Sequence, residues 1–246
     1  MGQRSPNRAG SRYRVIRRTL VVDLGQAKRV LSSAPHHGGL VQARHILNHQ
    51  VRPASEAAKS TQRCNPGRYL DGVAASLGIR GRCVGLLTAV PMTRLVTLRE
   101  EEKRDGLWVE CFCTVGVTNA VRAGELPIAD PRLRHPVGTI NIILVTNACL
   151  AASAMVGAVQ VATESKAAVL LERAIRSSVS AAIATGTGTD AVVVACGLRT
   201  EGPVLRYSGT HTEIGAMIGR LVRSGVELGL DRADRRSSGV RSWPRG

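Results

Sequence analysis

Ala184-Thr-Gly-Thr-Gly-Thr-Asp190 runs straight into the apolar segment Ala191–Cys196. Three threonines and two glycines alternate before a carboxylate, so a flexible turn crowded with hydroxyls and backbone donors delivers Asp190 to the mouth of a buried strand. Upstream, Thr139–Thr146 is dominated by Ile, Leu and Val and reads as a strand buried on both faces. Between the two strands lies Ala151–Ile175, long and Ala-rich, with its charges confined to Glu164, Lys166, Glu172 and Arg173. Thr212–Leu228 reads as a second helix. The second half is therefore strand, long helix, strand, helix.

The first half is richer in strands. Arg18–Leu24 and Arg29–Ser33 read as a hairpin turned at Gly25-Gln26, and Gly38–Gln50 as a loop entering a short helix with Ala43, Ile46 and Leu47 on one face. Asn65-Pro66 punctuates the chain, and Tyr69–Leu77 then reads as a helix that Gly78 closes. Arg82–Val90, Arg94–Leu98 and Gly106–Val115 read as an antiparallel meander. Ala120–Pro136 looks like an excursion over the surface. Together these elements make an α+β fold, with mixed or antiparallel sheets covered by helices.

At 246 residues with 43% apolar composition, the chain is long enough for one sizeable core, built mainly from aliphatic side chains because aromatic residues are only 2%. The formal charge of +16 invites a nucleic-acid reading. Its distribution argues otherwise. Six arginines and no acid in the first 18 residues, with five arginines against two aspartates in 231–246, supply nine of the sixteen charges. Both ends read as basic disordered tails, 1–16 and 231–246, flanking a single domain over 17–230. Only Tyr13 and Trp243 stand among those arginines, too few aromatic residues for a base-stacking surface, so no nucleic-acid partner is expected.

The apolar stretch Thr19–Val22 ends at Asp23, too short for a signal peptide, and no uninterrupted apolar run reaches membrane-spanning length. The expectation is a cytoplasmic protein. Cys83, Cys111, Cys113, Cys149 and Cys196 lie in apolar segments, as reduced cysteines do. The spacing of Cys111 and Cys113 does not fit a zinc knuckle, and no metal site is expected.

Eight segments stand in an order that resembles the adenosylcobinamide amidohydrolase family: Leu31-Ser-Ser-Ala34 with Gly38-Gly39, Ile46-Leu47-Asn48-His-Gln-Val51, Gly85-Leu-Leu-Thr-Ala89, Thr114-Val-Gly-Val-Thr-Asn119, Gly138-Thr-Ile-Asn-Ile-Ile-Leu144, Thr163-Glu-Ser-Lys166, the turn ending at Asp190, and Tyr207-Ser-Gly-Thr210. The likeness runs from about Arg17 to about Leu230. It implies hydrolysis of the amide that joins the corrin ring to aminopropanol in salvaged adenosylcobinamide, releasing adenosylcobyric acid for coenzyme B12 synthesis. It implies a small-molecule corrinoid substrate and no cofactor beyond the cobalt that substrate carries. Whether the chain forms a homo-oligomer is left open. The second half also resembles ornithine acetyltransferases and related self-cleaving aminopeptidases at Val145-Thr-Asn147 and Thr185–Asp190, which implies an α-β-β-α sandwich.

Amide hydrolysis needs a nucleophile or activated water, a base, and donors for the oxyanion. Asp190 is the first candidate, because a carboxylate opening an apolar strand is costly unless partnered or used. Thr185, Thr187 and Thr189 offer hydroxyls. Glu164 and Lys166 lie within an apolar helix, on the segment that carries the family resemblance, and Glu164 follows Gln160 by one turn to give a polar spot on one face. Thus Asp190, Glu164, Thr189 and Thr187 are the catalytic candidates. Ser32, Ser33, Asn119, Asn141, Asn147 and Lys166 are the substrate-binding ones, the asparagines because side-chain amides beside strand ends suit a propionamide or an oxyanion. His36 and His37 precede a double glycine; His45 and His49 are four apart; His211 precedes a helix. Each is read first as structural. Attack by a Ser or Thr hydroxyl and water activated by Asp190 or Glu164 both remain open. So do a corrinoid-binding protein without turnover and an N-terminal-nucleophile hydrolase or acyltransferase.

Overall fold

A computed structural model describes residues 10–51, 65–126 and 138–238, with side chains to residue 234. Its centre is the pair of strands β8 (Ile140–Thr146) and β11 (Ala191–Cys196), every residue of which is buried. They run parallel, with Ala191 opposite Asn141. A parallel pair needs a crossover, and here the connection includes helix α2 (Ala152–Glu172), which covers one face of the sheet. Ala154, Met155, Ala158, Val161, Ala162, Val169 and Leu170 pack against Ile142, Leu144, Val192 and Val194. Helix α3 (Glu213–Ser238) lies on the same face, burying Ile214, Met217, Ile218, Leu221, Val222 and Val226 at helical spacing. By length and composition α2 could also cross a bilayer, with hydropathy 1.2, but it serves as a core helix of this layer.

The principal sheet has the order β4-β3-β2-β11-β8-β6-β5, with β1 added on β2. The added elements are β1 (Arg12–Ile16), β2 (Thr19–Ser32), β3 (Gly39–Gln50), β4 (Cys83–Thr88), β5 (Val96–Glu101) and β6 (Trp108–Val115). Its second face folds onto itself. Leu20, Val22 and Val30 of β2, Ile46 of β3, and Val84 and Leu86 of β4 share one core with Phe112, Ile143, Val145 and Val193 from the other half. Helix α1 (Pro66–Ser76) covers the outside of the first half, where Ala74 meets Val21, Leu47 and Cys83. The layers are therefore helix, strands, strands, helices, but the two strand layers belong to one continuous sheet that curls back.

A buried polar clasp joins the two halves. Asn141 Nδ2 donates to Asn48 Oδ1 at 3.0 Å and to Leu87 O at 2.8 Å, while Asn48 Nδ2 donates to Thr114 Oγ1 at 3.0 Å and Thr139 Oγ1 reaches Asn141 Oδ1 at 3.2 Å. Both asparagines are 1% exposed. Buried amides satisfied in this way fix the register of the fold.

Several local expectations give way to long-range pairing. The Gly25-Gln26 signal is not a hairpin turn; β2 continues through it, and the register jumps from Asp23–His45 to Lys28–Ala43. Five steps on β2 oppose two on β3, so three extra residues bulge out, with Gly25 at φ +77 and its N–H on Asp23 Oδ1. Gly38–Gln50 is not a helix but strand β3, because β2 and β4 hydrogen-bond both its edges and override its helical periodicity. The meander is also corrected. Strands β5 and β6 are antiparallel, whereas β4 sits at the far edge, parallel to β3.

Part of each expected tail is regular structure. Residues 12–16 form β1, where Tyr13 packs edge-on against Phe112 at 5.1 Å. At the other end α3 continues to Ser238, with Arg173 paired to Asp231. Residues 127–137, most of the expected excursion, lie outside the described residues.

The β1–β2 hairpin turns on Arg17 and Arg18, both at positive φ, +47 and +63. Such a two-residue turn ordinarily takes Asn-Gly, since non-glycine residues are strained there. Arg17→Asn with Arg18→Gly is expected to raise the unfolding free energy by about 1 kcal/mol, after loss of the Arg17 Nη1 bond to Ser76 O. Urea denaturation checks it; a lowered midpoint would mean that the arginine contacts outweigh the backbone strain.

Candidate active site

Asp190 stands where the turn meets β11, and its carboxylate is fully engaged. Oδ1 accepts from Ile140 N at 2.9 Å and from the Thr187 hydroxyl; Oδ2 accepts from Thr187 N at 2.9 Å and from Lys166 Nζ at 2.5 Å. The side chains of Lys166 and Asp190 are 8% and 12% exposed. An ammonium inside an apolar helix is stable only with such a counter-ion. An ammonium has three donors, and Asp190 takes the one engagement seen for Lys166 among the described residues.

The turn is pinned from several sides. Its short strand β10 (Gly186–Thr187) pairs with β7 (Ala120–Val121), which sets Asn119 beside the turn. Thr189 Oγ1 donates to Gly138 O at 3.0 Å, Thr139 Oγ1 donates to Thr189 O at 2.8 Å, and Thr185 Oγ1 accepts from Ala123 N at 2.9 Å. Asn119 Oδ1 is buried without a hydrogen-bond partner among the described residues. Ser33 closes the corner from β2, its hydroxyl accepting from Val192 N at 3.2 Å, two residues past Asp190.

Thr187, Thr189, Asp190, Lys166, Asn119 and Ser33 thus come together at one end of the sheet. The other candidates do not join them. Glu164 precedes Lys166 by two residues, about 200° around the helix, and is exposed. Ser32 is turned inward, its Oγ accepting from Ala34 N. Asn141 faces the clasp, its side chain spent on Asn48 and Leu87 O, and touches the turn only through Thr139, whose hydroxyl also meets Thr189 O. Asn147 lies six residues along β8, roughly 20 Å away, where it accepts from Trp108 N and donates to Gly106 O.

The histidines occupy the α1 side. His45 and His49 sit on strand β3, not on a helix. His49 is held between Thr19 Oγ1 at 2.7 Å and Tyr69 OH at 3.0 Å. His36 is 4% exposed, with Nε2 at 3.4 Å from Asp71 Oδ1, a contact too poorly aligned for a hydrogen bond. Burial pushes His36, His45 and His49 below the ordinary histidine value. Burial likewise raises the thiols of Cys111, to about 12, and Cys113, which suits packing and not nucleophilic attack.

Two features escaped sequence reasoning. Gly186 reads as loop flexibility, yet a Cβ there would lie 2.6 Å from Asp190 Oδ2 and 2.9 Å from Lys166 Nζ, so the glycine admits the ion pair. Asn48, quoted only within a motif, proves to be half of the clasp. Neither had a local signal, since each answers to residues far away in sequence.

The fold is α+β, with an ammonium–carboxylate pair beneath a hydroxyl-bearing turn, and the family match places the chain among hydrolases acting on amide bonds. The chain belongs to the adenosylcobinamide amidohydrolase family, whose sequence profile matches residues 5–238. It is 32% identical over 235 residues to the uncharacterized protein MJ1613 of Methanocaldococcus jannaschii, covering 89% of this chain and 88% of that one. It is 32% identical over 202 residues to the adenosylcobinamide amidohydrolase of Methanosarcina mazei, covering 79% and 86%. The adenosylcobinamide amidohydrolase of Halobacterium salinarum matches at 40% over 132 residues, about half of each chain. The solved PH0078 protein of Pyrococcus horikoshii is a distant structural match, at TM-score 0.43 and 10% identity over 86% of this chain and 76% of its own.

Proposed function

We propose that this protein hydrolyses the amide between the corrin ring and aminopropanol of adenosylcobinamide, yielding adenosylcobyric acid. The observation that supports it best is the meeting of Thr187, Asp190 and Lys166 at one half-buried point. A hydroxyl already hydrogen-bonded to a carboxylate, which a third group orients, is the arrangement of an activated nucleophile. In this reading Thr187 Oγ attacks the amide carbon and its proton passes to Asp190. The remaining N–H groups of Lys166 face the developing oxyanion. Asp190 returns the proton to the departing amine as the C–N bond breaks, and water then releases the acid from the Thr187 ester.

The substrate is a small corrinoid, and its cobalt enters with it. The five described cysteines are free and buried, which agrees with the reducing cytoplasm, where we place the protein.

Incubation with adenosylcobinamide should release aminopropanol and adenosylcobyric acid. Thr187→Val should lower the rate by about 100-fold or more, while Thr187→Ser should keep part of it. Equal rates in wild type and Thr187→Val would exclude the hydroxyl and leave water on Asp190 as the nucleophile. Corrinoid binding without any release would instead describe a binding protein.

A further inference from the structure

The proposed reaction uses no histidine, yet one is held in an unusual way. His37 has φ +51, a backbone region that non-glycine residues enter only when the surroundings impose it. Its side chain is fixed as well. Nδ1 lies 2.8 Å from Cys83 O, and a carbonyl only accepts, so Nδ1 carries the proton and the neutral ring keeps its lone pair on Nε2. A histidine whose other nitrogen donates to a backbone carbonyl is oriented as metal-ligating histidines are. The buried ring of His36 backs it, with centroids 4.0 Å apart, and His37 itself is exposed.

No cluster of three His, Cys, Asp or Glu among the described residues is placed to hold a free metal ion. A corrin supplies four nitrogens to its cobalt, so a single axial ligand is all the protein needs to add. Cobinamide lacks the nucleotide base that occupies the lower face of the complete coenzyme, and water fills that position. His37 follows Ser33 by four residues, which limits their separation to about 14 Å, and Ser33 is bonded to Val192, two residues past Asp190.

We propose that His37 Nε2 coordinates the lower face of the substrate's cobalt, displacing water and anchoring the corrin while its amide reaches the Thr187–Asp190 corner. The exchange breaks one cobalt–oxygen bond, forms one cobalt–nitrogen bond and leaves the oxidation state unchanged. The inference rests on the corrinoid reading above.

The test uses cob(II)inamide as probe, with the full-length protein. Electron paramagnetic resonance should show each cobalt line split into a nitrogen triplet, which becomes a doublet with 15N-histidine-labelled protein. His37→Gly, which relaxes the backbone at φ +51, should lose the splitting, and added imidazole should restore it. His211→Ala should retain it. Equilibrium dialysis is run alongside. Corrinoid bound without nitrogen splitting, or splitting that survives His37→Gly, overturns this inference and leaves the proposed reaction standing. Absence of corrinoid binding overturns both.

Discussion

Asp190→Ala should abolish amide hydrolysis and lower the unfolding free energy by about 3–5 kcal/mol, because it strands the Lys166 ammonium inside the protein. The carboxylate meets Lys166, two backbone N–H groups and a hydroxyl. Removing it leaves four donors facing an apolar void, whereas Lys166→Met leaves the anion three donors. The loss in Lys166→Met should therefore be smaller, about 1–3 kcal/mol. In the double variant the unpaired ammonium is gone too, so its total loss should fall short of the sum of the single losses. Urea denaturation of the four proteins measures the coupling, and release of aminopropanol measures the activity. Additive losses would mean that the pair is not buried as described. Full activity in Asp190→Ala would remove Asp190 from the chemistry.

Gly186→Ala should lower activity by about 100-fold, since a displacement near 1 Å of a reacting group is enough for that. The new methyl would press on Asp190 Oδ2 at 2.6 Å and Lys166 Nζ at 2.9 Å, and neither can retreat without giving up hydrogen bonds. A stability loss of about 1–3 kcal/mol should accompany it, as for other overpacked sites. Gly188→Ala is the matched control. It lies two residues along the same turn, with nothing within 4 Å of its added Cβ, and should behave as wild type. If both variants lose activity equally, loss of turn flexibility explains the effect and the fit around the ion pair does not.

The candidate site was legible to the extent that its residues share a segment. Thr187, Thr189 and Asp190 lie in one turn, where alternating Gly and Thr before a carboxylate announces polar chemistry. Lys166 is a charge on an apolar helix. Glu164 is another, and nothing local separates the two; only the packing of α2 against the sheet turns one inward and leaves the other in solvent. Asn141 and Asn147 looked equivalent beside the ends of one strand. The curled sheet closes over the first to make the clasp and leaves the second at the far end, holding Trp108 N and Gly106 O.

The sequence by itself determined the α+β class, the strand–helix–strand core of β8, α2 and β11, and the family. Hydrophobic periodicity and ordered motifs are local properties, and a long buried strand or helix records them in its own residues. The tertiary structure alone decided that 39–50 is a strand, that Gly25 marks a bulge, that the sheet folds back on itself, and that Lys166 and not Glu164 meets Asp190. Each of these depends on hydrogen bonds or charges supplied by residues distant in the chain, and a partner's position is written nowhere in the segment that receives it.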